Sequence, residues 1–254
     1  MTMSKLVLHS SERSGQSNNF ILFIFILFCS CVTPTNKEAL NDKSAEDMVE
    51  ASLNAVGNKS NREKIMNLIS MADCISPDGK YTTEIHTAVE GYSFFKQVYS
   101  YKPETFEAVI EKKIKGYSFF DSVRPLSREA VYSIRSHEFQ NIVLELNERY
   151  HDFEVPTKGK IAATLVNQVK AKDELNHPCL LSFDHDTRLL TAIEIQNPDT
   201  LNEVLTIKFS NWKKIENLLM PYLVTIDQSG KYYVFNFIKL QFNSPDFKYK
   251  LVNE

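Results

Sequence analysis

The chain has 254 residues, 43% of them hydrophobic and 24% charged, with only 7 Gly and 9 Pro. That composition excludes collagen-like, mucin-like and wholly disordered chains. With 29 Lys plus Arg against 32 Asp plus Glu, the net charge is −3, so the chain has no general pull on nucleic acid and no nucleic-acid partner is expected. Four cysteines are too few for a disulfide scaffold.

Lys5 and Arg13 precede nine consecutive large apolar residues, Phe20 to Phe28. A membrane-spanning helix needs about 20 apolar residues, whereas the apolar region of a secretory signal is about 7–15 long. Cys29-Ser30-Cys31 and a polar stretch from Val32 follow. Small residues ahead of a cysteine resemble a bacterial lipoprotein signal, with Cys31 as the acceptor. Phe28 departs from the Leu more usual at that place. The implied organisation is a signal peptide over 1–30, a flexible tether over 31–44 and a folded domain over 45–254. A Cys31 carrying two or more acyl chains would be stably membrane-anchored. An ordinary cleaved signal and an uncleaved N-terminal anchor are the alternatives. The mature chain would then hold 27 basic and 31 acidic residues. Besides the anchor it would keep Cys74 and Cys179, which could pair in an oxidising compartment or stay as buried free thiols.

Ser44 to Ala55 is predicted helical, capped by Ser44 and stopped by Gly57, and Asn61 to Met71 is predicted as a second helical piece. Pro77-Asp78-Gly79 is a turn signal. The period then changes: 83–89, 93–101, 105–111 and 115–120 are aromatic and β-branched and read as strands. Gly-Tyr-Ser-Phe-Phe occurs at 91–95 and 116–120, but the likeness ends there, so it reads as two similar strand starts. A helical region runs from Ser127 to about Tyr150, and 155–159 reads as a loop. Strands return at 161–171, 179–184, 189–196, 203–210, 218–226 and 231–242. Asp184-His185-Asp186-Thr187 and Asp227-Gln228-Ser229-Gly230 are read as hairpin turns, and Pro198-Asp199 as another. The pattern is a long antiparallel meander interrupted by one helical segment.

Glu203–Ser210 alternates between a wet and a dry side, but 218–226 and 231–242 are apolar on both faces. An antiparallel sheet usually hides one face, so these strands need cover on both. A curved sheet wrapped around the helices, with a partly unfilled concave side, satisfies the pattern. A fully packed core satisfies it too. Apolar residues in excess of core needs are Phe95, Val98, Phe119, Leu223, Tyr233, Phe235 and Phe237. They are the candidates for lining an apolar cavity, and each is also readable as plain core.

The C-terminal part carries a more specific pattern. Asp184-x-x-Thr187-x-Leu189-Leu190 is followed by Phe209-Ser210-Asn211-Trp212-Lys213 and Pro221, then by Asn243 and Asp246-Phe247. This succession resembles the outer-membrane lipoprotein-sorting (LolA/LolB-like) superfamily, and Ala51 to Gly57 resembles its opening helix. Asn211 stands where Asp is usual, Asn217 where Gly is usual, and Arg188 where a turn glycine is usual. The resemblance implies an α+β fold: an unclosed antiparallel half-barrel wrapped around helices, whose cavity in characterised members receives acyl chains. Val32 is not acidic, which by resemblance to enterobacterial sorting implies the outer membrane. Tether residues 32–37 lack an acidic run, so a periplasm-facing domain is expected; a monomer is expected too, with the membrane and a lipid or lipoprotein acyl chain as partners. An envelope interaction protein with a filled core, and a cofactor-free enzyme on this fold, are the rival functions.

Enzyme signatures are absent from the sequence. His177 and Cys179 lie near Asp184-His185-Asp186, but the second group is a turn in which Asp serves the backbone. There is no Gly-x-Ser-x-Gly, phosphate loop or dinucleotide fingerprint. No cofactor and no catalytic activity are expected.

Overall fold

The computed structural model describes residues 44–120, 122–196, 204–250 and 252. The apolar run at 20–28, Cys31, the tether up to residue 43 and the turn read at Pro198-Asp199 lie outside the described residues. Among the described residues, no helix is long and apolar enough to cross a membrane.

Helix α1 (Ala45–Val56) starts on a capping box: Ser44 Oγ accepts from the Asp47 amide, and the Asp47 carboxylate accepts from the Ser44 amide, both at 3.1 Å. Val49, Leu53 and Val56 form its buried stripe. Gly57 ends it through close packing, since an added Cβ would lie 2.3 Å from the Leu218 side chain. The second predicted helix is corrected. Only α2 (Lys59–Arg62) is helical, and the chain extends into β1 (Asn67–Ser76). Leu68, Ser70, Ala72 and Cys74 are buried at period two, and β1 is hydrogen-bonded along both edges. Two full ladders outweigh a local helical pattern.

The chain continues through β2 (Gly79–Ala88), β3 (Tyr92–Tyr99), β4 (Thr105–Glu111), β5 (Lys115–Phe119) and β6 (Val123–Pro125). The predicted helical region is three short pieces, α3 (Arg128–Arg135), α4 (Phe139–Leu144) and α5 (Leu146–Arg149). Then come β7 (Tyr150–His151), β8 (Thr157–Ile161), β9 (Thr164–Asp173), β10 (Pro178–Asp184) and β11 (Leu190–Gln196). Last are β12 (Val204–Ile215), β13 (Leu218–Gln228) and β14 (Lys231–Phe242). The loop read at 155–159 is therefore largely strand: Thr157 pairs with Gln168 and Ile161 with Thr164 in a tight hairpin.

All the pairings are antiparallel, in one 14-stranded sheet ordered β6-β5-β4-β3-β2-β1-β14-β13-β12-β11-β10-β9-β7, with β8 also on β9. The sheet does not close, so the architecture is the expected α+β half-barrel. Its topology explains where the helices lie. The first meander runs outward from β1 to β6. The second begins at the far edge and returns inward to β14, which pairs with β1. The segment between them must cross from edge to edge, and α3 to α5 make that crossing over the concave face. Bulges at Met71/Ala72 and Ser182/Phe183 add local bend.

The register assigns the faces. Tyr99, Tyr81, Cys74, Phe235, Val224 and Phe209 are successive partners across six strands, and this row faces the helices. The next row, Val98, Thr82, Asp73, Asn236, Leu223 and Ser210, faces outward. Cys74 and Cys179 are both buried and free. They sit on β1 and β10, five strands apart in the sheet order.

Candidate functional site

Helix α3 is capped by Ser127 Oγ, which accepts from the Ala130 amide at 3.2 Å. It buries Val131 and Ile134 against Ile85, Phe95, Ala108 and Ile110 of the concave face. Its other side is tied down by polar contacts: the Tyr132 hydroxyl donates to Asp173, and the Arg135 guanidinium pairs with Glu174. Between α3 and the tips of β1 to β4 lies a cavity of about 530 Å³, within the usual ligand-site range of about 300–1,000 Å³. Tyr81, Phe95, Tyr99, Phe106, Ile134 and Tyr233 are among its walls, with His137, Gln97, Tyr101 and Asp78 also in the lining. Burial pushes the Tyr81 and Tyr99 phenols above their ordinary range, so both stay protonated.

A second cavity, about 660 Å³, lies at the opposite end of the β1–β2 hairpin. It is lined by charged groups in pairs, with Arg62 3.6 Å from Glu50, Lys113 3.1 Å from Glu148 and Arg149 3.1 Å from Glu145. At its floor Glu138, 5% exposed, pairs with Arg149, 7% exposed, and accepts from the Ser93 hydroxyl. Burial alone would push the Arg149 guanidinium down, but Glu138 and Glu145 outweigh it and hold the group above its ordinary value.

The seven predicted lining residues divide. Phe95 and Tyr233 line the aromatic cavity. Phe235 and Phe237 share that face but are packed against Phe139, with ring centroids 5.0 and 6.3 Å away. Val98, Phe119 and Leu223 are corrected, because the register puts them on the convex face. Phe119 lies there under the Lys250 ammonium, 4.3 Å from the ring centroid. Strand alternation carried a warning: Phe95 and Val98 are three residues apart, hence on opposite faces of one strand. Tyr81, Tyr99 and Phe106 were missed although they are in phase with concave-face neighbours. Ile134 and His137 had no signal beyond helical spacing.

Neither cysteine is poised for chemistry. Burial pushes the Cys74 thiol up to about 11 and the Cys179 thiol up to about 12. His177 Nδ1 is engaged by Asp173 at 3.1 Å. Among the described residues no three His, Cys, Asp or Glu side chains group as a metal site. Asp184 instead accepts from the Asp186 and Thr187 amides and the Thr187 hydroxyl, at 3.0, 2.7 and 2.9 Å. The left-handed residue of that turn is Arg188, at φ 67°. At the β12–β13 turn it is Glu216, not Asn217, at φ 52°.

The fold is also found in solved structures. A LolA superfamily protein from Nitrosomonas europaea superposes over 80% of this chain and 94% of its own, with a TM-score of 0.57 at 10% identity. This chain has a LolA-like fold. Two further structures share it. A DUF1329 family protein from Desulfovibrio piger has a TM-score of 0.55 at 11% identity over 80% of this chain and 95% of that one. A domain assigned to outer membrane lipoprotein sorting, from Vibrio parahaemolyticus, has a TM-score of 0.52 at 12% identity over 78% and 94%. No family model matches the sequence, and no curated protein matches it. In this LolA-like fold the two cavities occupy opposite ends of the concave face, one aromatic and one ionic.

Proposed function

We propose that the protein is a lipid-anchored envelope lipoprotein, held by Cys31 and facing the periplasm, whose LolA-like domain takes an acyl chain or another apolar ligand beneath α3. The aromatic cavity carries this reading. The protein's own side chains leave this space between them, and its walls are concave-face side chains together with Ala130, Ile134 and His137 of the crossing segment. The action is binding and release, with no covalent step. Each buried CH2 would contribute about 0.8 kcal/mol, so six to eight carbons would supply about 5–6 kcal/mol before the cost of association. The unfilled space favours this over a surface-only interaction protein. The pairing of the charges in the second cavity favours binding over catalysis. Lipoprotein handling in the envelope is the role closest to the Vibrio parahaemolyticus relative.

Native mass spectrometry of the full chain, purified without denaturant, tests the cavity. A co-purifying lipid is expected in the wild type and should be lost in Ala130→Trp, which fills the space from α3. An unliganded wild type that also takes up no added lipid would end the reading. Radiolabelled palmitate tests the anchor: label and membrane association should both disappear in Cys31→Ser.

A further inference from the structure

The lining of the aromatic cavity holds a nitrogen acceptor, on His137, that the protein does not satisfy, beside the Gln97 amide, whose oxygen accepts from the Tyr99 hydroxyl. His137 Nδ1 lies 2.8 Å from the Ser133 carbonyl oxygen. A carbonyl oxygen only accepts, so Nδ1 carries the proton and Nε2 is left with a bare lone pair. His137 lines the cavity, and its Nε2 has no hydrogen-bond partner among the described residues. The rings of Phe95, Phe139 and Phe235 stand around the imidazole with centroids 5.7, 5.8 and 5.8 Å away. Burial among them holds the imidazole below its ordinary range, against smaller upward effects of the Ser133 carbonyl and Glu138. It is therefore a neutral acceptor at neutral pH. No Lys or Arg side chain is in the lining, and the acid in it is Asp78.

We propose that the ligand of this cavity is an uncharged amphiphile whose polar donor, a hydroxyl or an amide N–H, hydrogen-bonds to His137 Nε2. The proposal rests on the apolar-ligand reading above and narrows it. A carboxylate or phosphate has no proton to give the bare nitrogen and would meet Asp78 without a cation in the lining. An ester offers acceptors only, so its burial would leave Nε2 unpaired. A hydroxyl or amide gives the nitrogen what it lacks, and the alkyl part covers Phe95, Phe106 and Ile134.

Three C16 probes differ only at the polar end: 1-hexadecanol, methyl palmitate and palmitate. Their equilibrium binding to the full chain in nanodiscs at pH 7.5, corrected for empty nanodiscs, tests the assignment. The alcohol is expected to bind about tenfold more tightly than the ester or the anion, the upper end of what one neutral hydrogen bond gives. In His137→Phe the alcohol should fall to the level of the ester, with the ester changed less than twofold. Equal binding of alcohol and ester to the wild type overturns the proposal. So does palmitate binding tightest, or an alcohol preference that survives in His137→Phe. The wild-type series decides the matter even where the variant does not fold. If none of the three probes binds, the apolar-ligand reading fails and this proposal with it. If they bind alike, only this proposal fails.

Discussion

Phe139 and Phe235 meet with ring centroids 5.0 Å apart and planes inclined at 63°. Phe139 is the first residue of α4, and Phe235 lies in the middle of β14, so this contact seats the crossing segment on the concave sheet. Phe139 also meets Phe209 and Phe237 at 6.4 and 6.3 Å and is fully buried. Phe139→Ala should cost about 3–5 kcal/mol, and Phe139→Leu much less. Urea unfolding measures both, and a loss under about 1 kcal/mol for the alanine variant would mean that the crossing is seated elsewhere.

Next to it, Glu138 and Arg149 form a buried ion pair. Removing Glu138 leaves the buried Arg149 with Glu145 as its carboxylate partner, so Glu138→Gln should destabilise by about 1–3 kcal/mol, while combining it with Arg149→Met should recover part of the loss. Additive losses in the double-mutant cycle would show that the two side chains act independently.

Asp184 organises the β10–β11 turn. The Thr187 amide, more than any other group, holds its carboxyl below the usual carboxylate range against a smaller opposing effect of burial. The folded value is depressed, so the stabilisation is present above the unfolded value of about 3.9 and is lost as pH falls through the folded value. Asp184→Ala should cost about 1 kcal/mol at pH 7. Asp184→Asn should keep the acceptor oxygen and lose this part of the acid dependence. Urea midpoints between pH 2 and 6 check the three proteins against one another.

Burial raises both described thiols, to about 11 at Cys74 and about 12 at Cys179. At pH 8 neither should react with a thiol-specific disulfide reagent in the native protein, and both should react after unfolding. Their neutral-form stabilisation is present below the unfolded thiol value of about 8.5 and is lost as pH rises through the folded values. A non-reducing gel should show no Cys74–Cys179 bridge, because the two strands are far apart in the sheet.

Strand after strand was legible locally. Alternation in 203–210 and the apolar run 231–242 read directly as parts of β12 and β14, and Ser44 and Ser127 cap the helices predicted from them. The succession from Asp184 to Phe247 pointed to the LolA-like fold on residues alone. Local pattern misled where pairing decides. Asn67 to Met71 has helical spacing, yet it becomes strand because β2 and β14 both offer it hydrogen bonds. The break at Glu138 was equally hidden, since the charge that turns it inward lies 11 residues on, at Arg149.

The amino-acid order by itself determined the meander, the helical interruption and the aromatic excess, because period and capping are local properties. Only the tertiary structure decided which aromatics face the helices and which space they leave open. A side chain's face depends on register with partners up to 160 or more residues away, as Cys74 and Phe235 show. A cavity exists only where a crossing helix stops short of the sheet's edge.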